Sequence, residues 1–268
     1  GVDKAALAYV LSKLKRDRRH VTTTLDDVHG QPEAVRRARQ QVAAIREPAR
    51  FVGAARPSAG MLLAGPPGTG KTSLVRAMAH DAGCTFFEFR KSDLVLKGKP
   101  SLERLNALLA VAKEKAPSIV FLDEIDGVAS ARHTGMVPEL RVLLETRDAA
   151  RADDPVVILV GATNDPHLLD DAIADRLGEP VVFRDLDAAT RTHILQRELA
   201  GNNAQLSDAE WSSVVTLTAG FSGRKLAGLA EHVAQAVAME SYESGLPATR
   251  SIVEADLRRA ATAAAAAA

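Results

Sequence analysis

One cysteine, Cys84, stands among 268 residues. That excludes a disulfide framework and a cysteine-based zinc site. It follows Gly83 and leads an apolar run, so it reads as a core thiol. The seven histidines are scattered; no H-E-x-x-H motif and no ligand cluster appears, so a metalloprotease site is not expected. Net charge is also lacking, with 34 basic against 34 acidic residues. No global field therefore favours nucleic acid or an anionic membrane. No apolar run reaches the roughly 18 residues of a membrane span, and none reads as a signal peptide. The cytoplasm is the expected compartment. Because the first residue is Gly1 rather than Met, the expectation is a piece of a longer protein, with room for an anchor or partner domain outside it. Against these absences stand 46% hydrophobic and 25% charged residues, an ordinary globular composition.

Residues 4–15 carry Ala5, Leu7, Ala8, Leu11 and Leu14 at helical spacing. The cluster Lys13, Lys15, Arg16, Arg18 and Arg19 follows, as a solvated helix end or linker, or as a contact with a neighbouring subunit or polyanion. Residues 22–30 read as a loop and 32–46 as a helix ending before Pro48. Short apolar runs at 60–64, 84–89, 118–122, 156–160 and 181–183 then alternate with helical stretches at 72–81, 101–115 and 138–148. That alternation predicts an α/β fold with a parallel sheet covered on both faces. After Asp187 only helices are expected, at 189–199, 207–218, 223–241 and 253–261, with a capping box from Ser207 to Glu210. The alanines 263–268 read as a tail without function. No internal repeat is visible.

Gly65-Pro66-Pro67-Gly68-Thr69-Gly70-Lys71-Thr72 fits G-x-x-x-x-G-K-[ST], the Walker A phosphate loop, after a strand and opening a helix. Glycines let backbone N–H groups close around phosphate, and the helix N-terminus adds partial positive charge. Lys71 would reach the β- and γ-phosphates of ATP, and Thr72 would ligate Mg²⁺. Ser118-Ile119-Val120-Phe121-Leu122-Asp123-Glu124, the Walker B segment, is an apolar strand tipped by two carboxylates. Asp123 would hold Mg²⁺ and Glu124 would polarise the attacking water.

With their surroundings, these motifs resemble an AAA-family ATPase module over roughly 21–261. Pro48-Ala49-Arg50-Phe51 and Gly60-Met61-Leu62-Leu63 are similar to the FtsH and Cdc48 branches. The resemblance implies a P-loop NTPase fold with strand order 5-1-4-3-2. It divides the chain into an N-terminal helix or linker (1–20), a large α/β subdomain (21–186), a helical lid (187–262) and the alanine tail (263–268). By the same resemblance Asp27, Val28 and Gly30 border the adenine, Ile194 packs on it, and Ser73 and Gly223 lie at the nucleotide. Asn164, in Val160-Gly161-Ala162-Thr163-Asn164-Asp165-Pro166, looks like the sensor that positions water, although Asn-Asp-Pro alone is a good turn. Arg176, in Leu169 to Leu177, is similar to the arginine finger supplied to a neighbouring subunit. Members often carry a second arginine where this chain has Asp175. Ala219-Gly220-Phe221-Ser222-Gly223-Arg224 resembles the lid segment that touches nucleotide, and Arg224 could act as a second sensor, as in the ATPases that remodel HORMA-domain partners, or be a solvated helix start.

Threading members carry an aromatic after Ser-Asp-Leu. Here Ser92-Asp93-Leu94-Val95-Leu96-Lys97-Gly98-Lys99 has none, which leaves Leu96 between two lysines. The loop with His133 would be a second pore loop or a plain exposed one. The resemblance thus implies a Mg-ATP hydrolase working as a homo-oligomeric ring, a hexamer by family pattern, that remodels or loads a protein partner. A nucleotide-switched scaffold with little turnover and a regulatory subunit of a mixed ring are the alternatives.

Overall fold

The computed structural model describes residues 3–16, 23–51, 53–55, 58, 60–130, 136–148 and 156–266. Arg18, Arg19 and the loop carrying His133 lie outside them. The chain falls into two compact units. One takes in residues up to Gly65 and Gly70–Phe183; the other takes in Pro66–Thr69 and residues from Arg184 onward.

The first unit is built on five strands: β1 (Gly60–Ala64), β2 (Thr85–Arg90), β3 (Ser118–Asp123), β4 (Val157–Thr163) and β5 (Val181–Val182). All neighbours pair in parallel. Their lateral order is β2-β3-β4-β1-β5, the expected 5-1-4-3-2 read from the other edge. Every residue of β1 and β4 is buried, as a parallel sheet covered on both faces requires. Successive side chains point to opposite faces, so two cores form. Leu62, Val120, Leu122 and Leu159 face one of them; Met61, Leu63, Phe121 and Val160 face the other. Among the described residues, seven helices cover these cores: α1 (Lys4–Arg16), α2 (Pro32–Arg46), α3 (Lys71–Ala82), α4 (Lys91–Leu94), α5 (Leu102–Glu114), α6 (Val137–Asp148) and α7 (Asp171–Leu177). Pro32 opens α2 at a position where its missing N–H costs nothing, and left-handed Gly83 (φ 62°) ends α3.

Helix α1 docks on the first core. Ala6 and Val10 are buried in the first core, and Leu7, Tyr9 and Leu14 pack against it. Its polar side converges on Asp93. The Tyr9 hydroxyl donates to one carboxylate oxygen at 2.6 Å, while Lys13 Nζ sits 3.0 Å and the Arg90 N–H 2.8 Å from the other. Arg104 stacks 3.8 Å over the Tyr9 ring and donates to the Asp93 carbonyl at 2.8 Å. Burial is the largest influence on the Asp93 carboxyl and would raise its pKa. The Arg90 N–H, Tyr9 and Lys13 together outweigh it and hold the pKa below the usual aspartate value. A folded-state pKa below the unfolded one contributes stability that is complete above about pH 4 and lost as pH falls through the lowered value. Tyr9→Phe is therefore expected to cost about 1–2 kcal/mol at pH 7. The gap between its thermal melt and that of the wild type should shrink below about pH 4; a gap independent of pH would contradict this account.

The segment after Leu94 that lacks the aromatic is a tight antiparallel hairpin pairing Val95 with Pro100 and Leu96 with Lys99. Lys97 (φ 49°) and Gly98 (φ 76°) form its tip in the left-handed region that such turns favour. Leu96, Lys97 and Lys99 are exposed there.

The second unit packs α8 (Ala188–Glu198), α9 (Asp208–Leu217), α10 (Gly223–Glu243) and α11 (Glu254–Ala266) around Leu195, Trp211, Val214, Leu226, Val233 and Leu257. Asp187 accepts from the Thr190 N–H at 2.7 Å to cap α8. The Ser207–Glu210 capping box starts α9 as expected. Helix α11 continues to Ala266, five residues past the expected 261, because alanine is the best helix former. No helix among the described residues is long and apolar enough to cross a membrane.

Candidate nucleotide site

Sheet register sets the geometry. Ala64 pairs with Thr163, and Asp123 with Ala162, so β1, β3 and β4 end level at the carboxyl edge. Ligands of parallel α/β sheets bind at that edge. Chain direction changes sharply after β1. The Gly65 N–H donates to the Thr163 carbonyl at 3.2 Å, and Gly65 adopts φ 141°. A side chain there would meet the Phe183 carbonyl oxygen at 2.3 Å. Gly70, at φ 103°, leads into the 12-residue helix α3 with no side-chain cap, and a helix N-terminus favours an anion.

Lys71, Asp123 and Asn164 come together. The Lys71 ammonium donates to the Gly65 carbonyl at 2.5 Å and lies 3.3 Å from Asn164 Oδ1. Burial lowers its pKa below the ordinary lysine value, and the nearby Asp123 carboxylate opposes that shift. Glu124 is exposed just beyond, in a left-handed conformation (φ 57°) rare for a side chain of its kind. Its N–H donates to Asp123 Oδ1 at 3.1 Å. Such strain persists where the surroundings over-determine it, often at functional sites. Thr72 is half-buried and Ser73 exposed on the first turn of α3.

Asp27 is occupied as a local cap, its carboxylate accepting from the Thr24 N–H at 2.8 Å and the Thr24 hydroxyl at 2.9 Å. Val28 and Gly30 line an open pocket of about 640 Å³ with His29, Val35 and Phe51; Asp27 does not. In the second unit, the Gly223 N–H donates to the Gly68 carbonyl at 3.2 Å, and Ile194 Cδ1 lies 3.9 Å from where a Gly223 side chain would begin. Thr69 donates to the Pro66 carbonyl at 2.8 Å and is buried. Pro66 and Pro67 are exposed. Arg224 lines a groove between α8 and α10 with Glu198 and Glu231. Arg176 donates to the Ala172 carbonyl of its own helix at 3.0 Å and is half-buried. The sequence reading overlooked Thr163 and Asp126, a buried hydroxyl and a carboxylate 2.6 Å apart. Nothing in a strand-end threonine and an Asp 37 residues earlier signals that pairing.

The residues fit a magnesium nucleotide. A glycine-shaped loop, an uncapped helix start and a lysine suit phosphate. The Thr72 hydroxyl and Asp123 carboxylate are the hard oxygen donors that Mg²⁺ takes alongside nucleotide phosphates. Among the described residues, no three His, Cys, Asp or Glu side chains gather to hold a metal by themselves.

The fold and this edge define a P-loop nucleotide-binding module. Residues 61–185 match the ATPase family associated with various cellular activities (AAA), and the chain belongs to that family. It is 36% identical over 217 residues to spastin from Danio rerio, a match that covers 78% of this chain and 38% of that protein. The FIGL-1 AAA domain in complex with ADP superposes with a TM-score of 0.79 at 28% identity, covering 96% of this chain and 90% of that one. A katanin structure concerned with self-assembly gives 0.73 at 25% identity, with 98% and 92% covered. The resemblance to the FtsH and Cdc48 branches is only loose. The chain spans 35% to 45% of the length of the spastins it matches. Members of this family are ATPases, so nucleotide binding comes with membership.

Proposed function

We propose that this chain hydrolyses Mg-ATP as one subunit of a homo-oligomeric ring, six-membered by family pattern, that remodels or loads a protein partner in the cytoplasm. The meeting of Lys71, Asp123 and Asn164 beside Glu124 carries this reading. Lys71 neutralises the phosphate oxygens, helped by the N–H groups from Gly68 to Thr72. Thr72 and Asp123 would hold Mg²⁺, whose chemistry there would be to neutralise charge on the transferred phosphoryl group. Glu124 takes the proton of the attacking water, and Asn164 orients that water. Gly30 and Val28 border the base as the family pattern has them. The domain limits 21–186 and 187–262 belong to the same reading. The katanin structure to which this chain is similar concerns self-assembly, which supports a ring.

Arg176 is the arm that a ring needs. As a finger it would leave the Ala172 carbonyl and reach a neighbour's γ-phosphate, an effect worth 10³–10⁵ in rate in comparable systems. The test is the ATPase rate per subunit against protein concentration, for wild type and Arg176→Ala. A rate that climbs with concentration in wild type and stays flat and low in the variant is expected. A flat, negligible wild-type rate with ATP still bound would sink the motor reading and leave the switch or the mixed ring. The exposed hairpin with Leu96, Lys97 and Lys99 offers no aromatic grip, which favours remodelling by ring motion over processive threading.

A further inference from the structure

Asp126 takes no part in the chemistry above, yet it stands two residues after Glu124 and makes a short contact with the strand that carries Asn164. The Thr163 hydroxyl donates to Asp126 Oδ1 at 2.6 Å. That length is typical of an O–H donor on a carboxylate, about twice as strong as a neutral bond. Thr163 is only 2% exposed, so water competes little for its hydroxyl. The same oxygen accepts the Asp165 N–H at 3.0 Å. One hydroxyl therefore pins the backbone on both sides of Asn164, and Asp126 anchors that hydroxyl.

The other end of the anchor is the turn that holds Glu124. Residues Ile125–Gly127 form a single helical turn closed by the Gly127 N–H on the Glu124 carbonyl at 2.9 Å. Fully buried Ile125 presses on β4 at Gly161, where an added Cβ would lie 2.7 Å from Ile125 Cδ1. Two contacts thus tie this turn to β4, one apolar at Gly161 and one polar at Thr163. Glu124 itself is in a left-handed conformation that needs such support.

We propose that Asp126 is a positioning residue that, through Thr163, clamps the Glu124 turn to the Asn164 strand tip and so sets the spacing between the two. The clamp stands on the geometry alone; its consequence for rate rests on the hydrolytic reading of Glu124 and Asn164. A displacement of about 1 Å at such a site costs on the order of a hundredfold in rate.

Asp126→Ala and Thr163→Val should each lower kcat for ATP by about tenfold to a hundredfold, with KM and the affinity for a fluorescent ATP analogue within about threefold of wild type. Asp126→Asn, which keeps an acceptor oxygen, and Thr163→Ser, which keeps the hydroxyl, should recover most of the loss. The double variant Asp126→Ala/Thr163→Val should be no worse than either single one. Amide hydrogen exchange supplies a readout without turnover: Asp165 and Gly127 should exchange at least about tenfold faster in Asp126→Ala, while the melting temperature of the full chain barely moves. Wild-type protection at both amides would overturn the clamp whether or not the chain hydrolyses ATP. Wild-type kcat in Asp126→Ala, with Glu124→Gln inactive, would overturn its effect on rate while leaving the hydrolytic reading intact. An inactive wild type would instead fail that reading, and the exchange data would still decide the clamp.

Discussion

Glu124→Gln is expected to lower ATP turnover by about two to four orders of magnitude while nucleotide affinity stays near the wild-type value. Glutamine keeps the shape and length of the side chain but cannot take a proton from water. The side chain is free to act because it is exposed at the sheet edge. Its backbone is held at φ 57° by the turn that follows, so its direction is set by the fold. Asp123, one residue earlier and half-buried, accepts the Glu124 N–H and faces Lys71. In the proposed reading the two carboxylates divide the labour, the inner one toward the cation side and the outer one toward water. Asp123→Asn should weaken nucleotide binding as well as turnover. Single-turnover hydrolysis read beside a binding titration separates the two. A Gln variant that hydrolyses at the wild-type rate would remove Glu124 from the mechanism and leave the base to be sought elsewhere on the edge.

Strand and helix periodicity carried most of the fold. The apolar run 60–64 is β1 to the residue, and the helix expected at 32–46 is α2. The run expected at 156–160 is β4 at Val157–Thr163, one residue later at its start and three longer at its end, an extension the sequence conceals because Gly161-Ala162-Thr163 has weak strand propensity. Parallel pairing on both sides, to β1 and to β3, carries it through the glycine, and that glycine is wanted there because Ile125 occupies the space. Helix α1 illustrates the opposite limit. Its spacing announced a helix, but its docking depends on Asp93 and Arg104, which lie far along the chain and whose partners no local pattern reveals. The hairpin at 95–100 was hidden for a related reason. Its strands are two residues each, below any detectable period, and its turn is Lys97-Gly98 rather than the commoner Asn-Gly.

At the site, residue types tied to a fixed motif spacing could be read directly. Lys71 and Asp123 are such cases, and they do lie within electrostatic reach of one another. Arg176 is harder. A sequence names the arginine but not the acceptor it rests on, and here that acceptor is the Ala172 carbonyl of its own helix. Thr163 and Asp126 were invisible because a hydroxyl and a carboxylate have no signature until the sheet brings them together.

The second large effect concerns backbone rather than side-chain chemistry. Gly65→Ala should destabilise the chain by about 2–5 kcal/mol, combining left-handed strain with overpacking against fixed backbone. The added methyl would lie 2.3 Å from the Phe183 carbonyl oxygen and 3.0 Å from Phe183 Cβ. Phe183 cannot yield easily, since its own N–H donates to the Ala64 carbonyl at 2.7 Å and its ring is buried. Relief would have to come from the turn into the phosphate loop, so the variant should lose most nucleotide affinity along with stability. Gly70→Ala isolates the strain term. Gly70 sits at φ 103°, but nothing lies within 4 Å of its added carbon. Its cost should be about 1–2 kcal/mol, from backbone conformation alone. Chemical denaturation of both variants, with a nucleotide titration of each, tests the contrast. If Gly65→Ala is no worse than Gly70→Ala, then the contact with Phe183 does not set the path of the loop, and the conformation of the two glycines alone accounts for it.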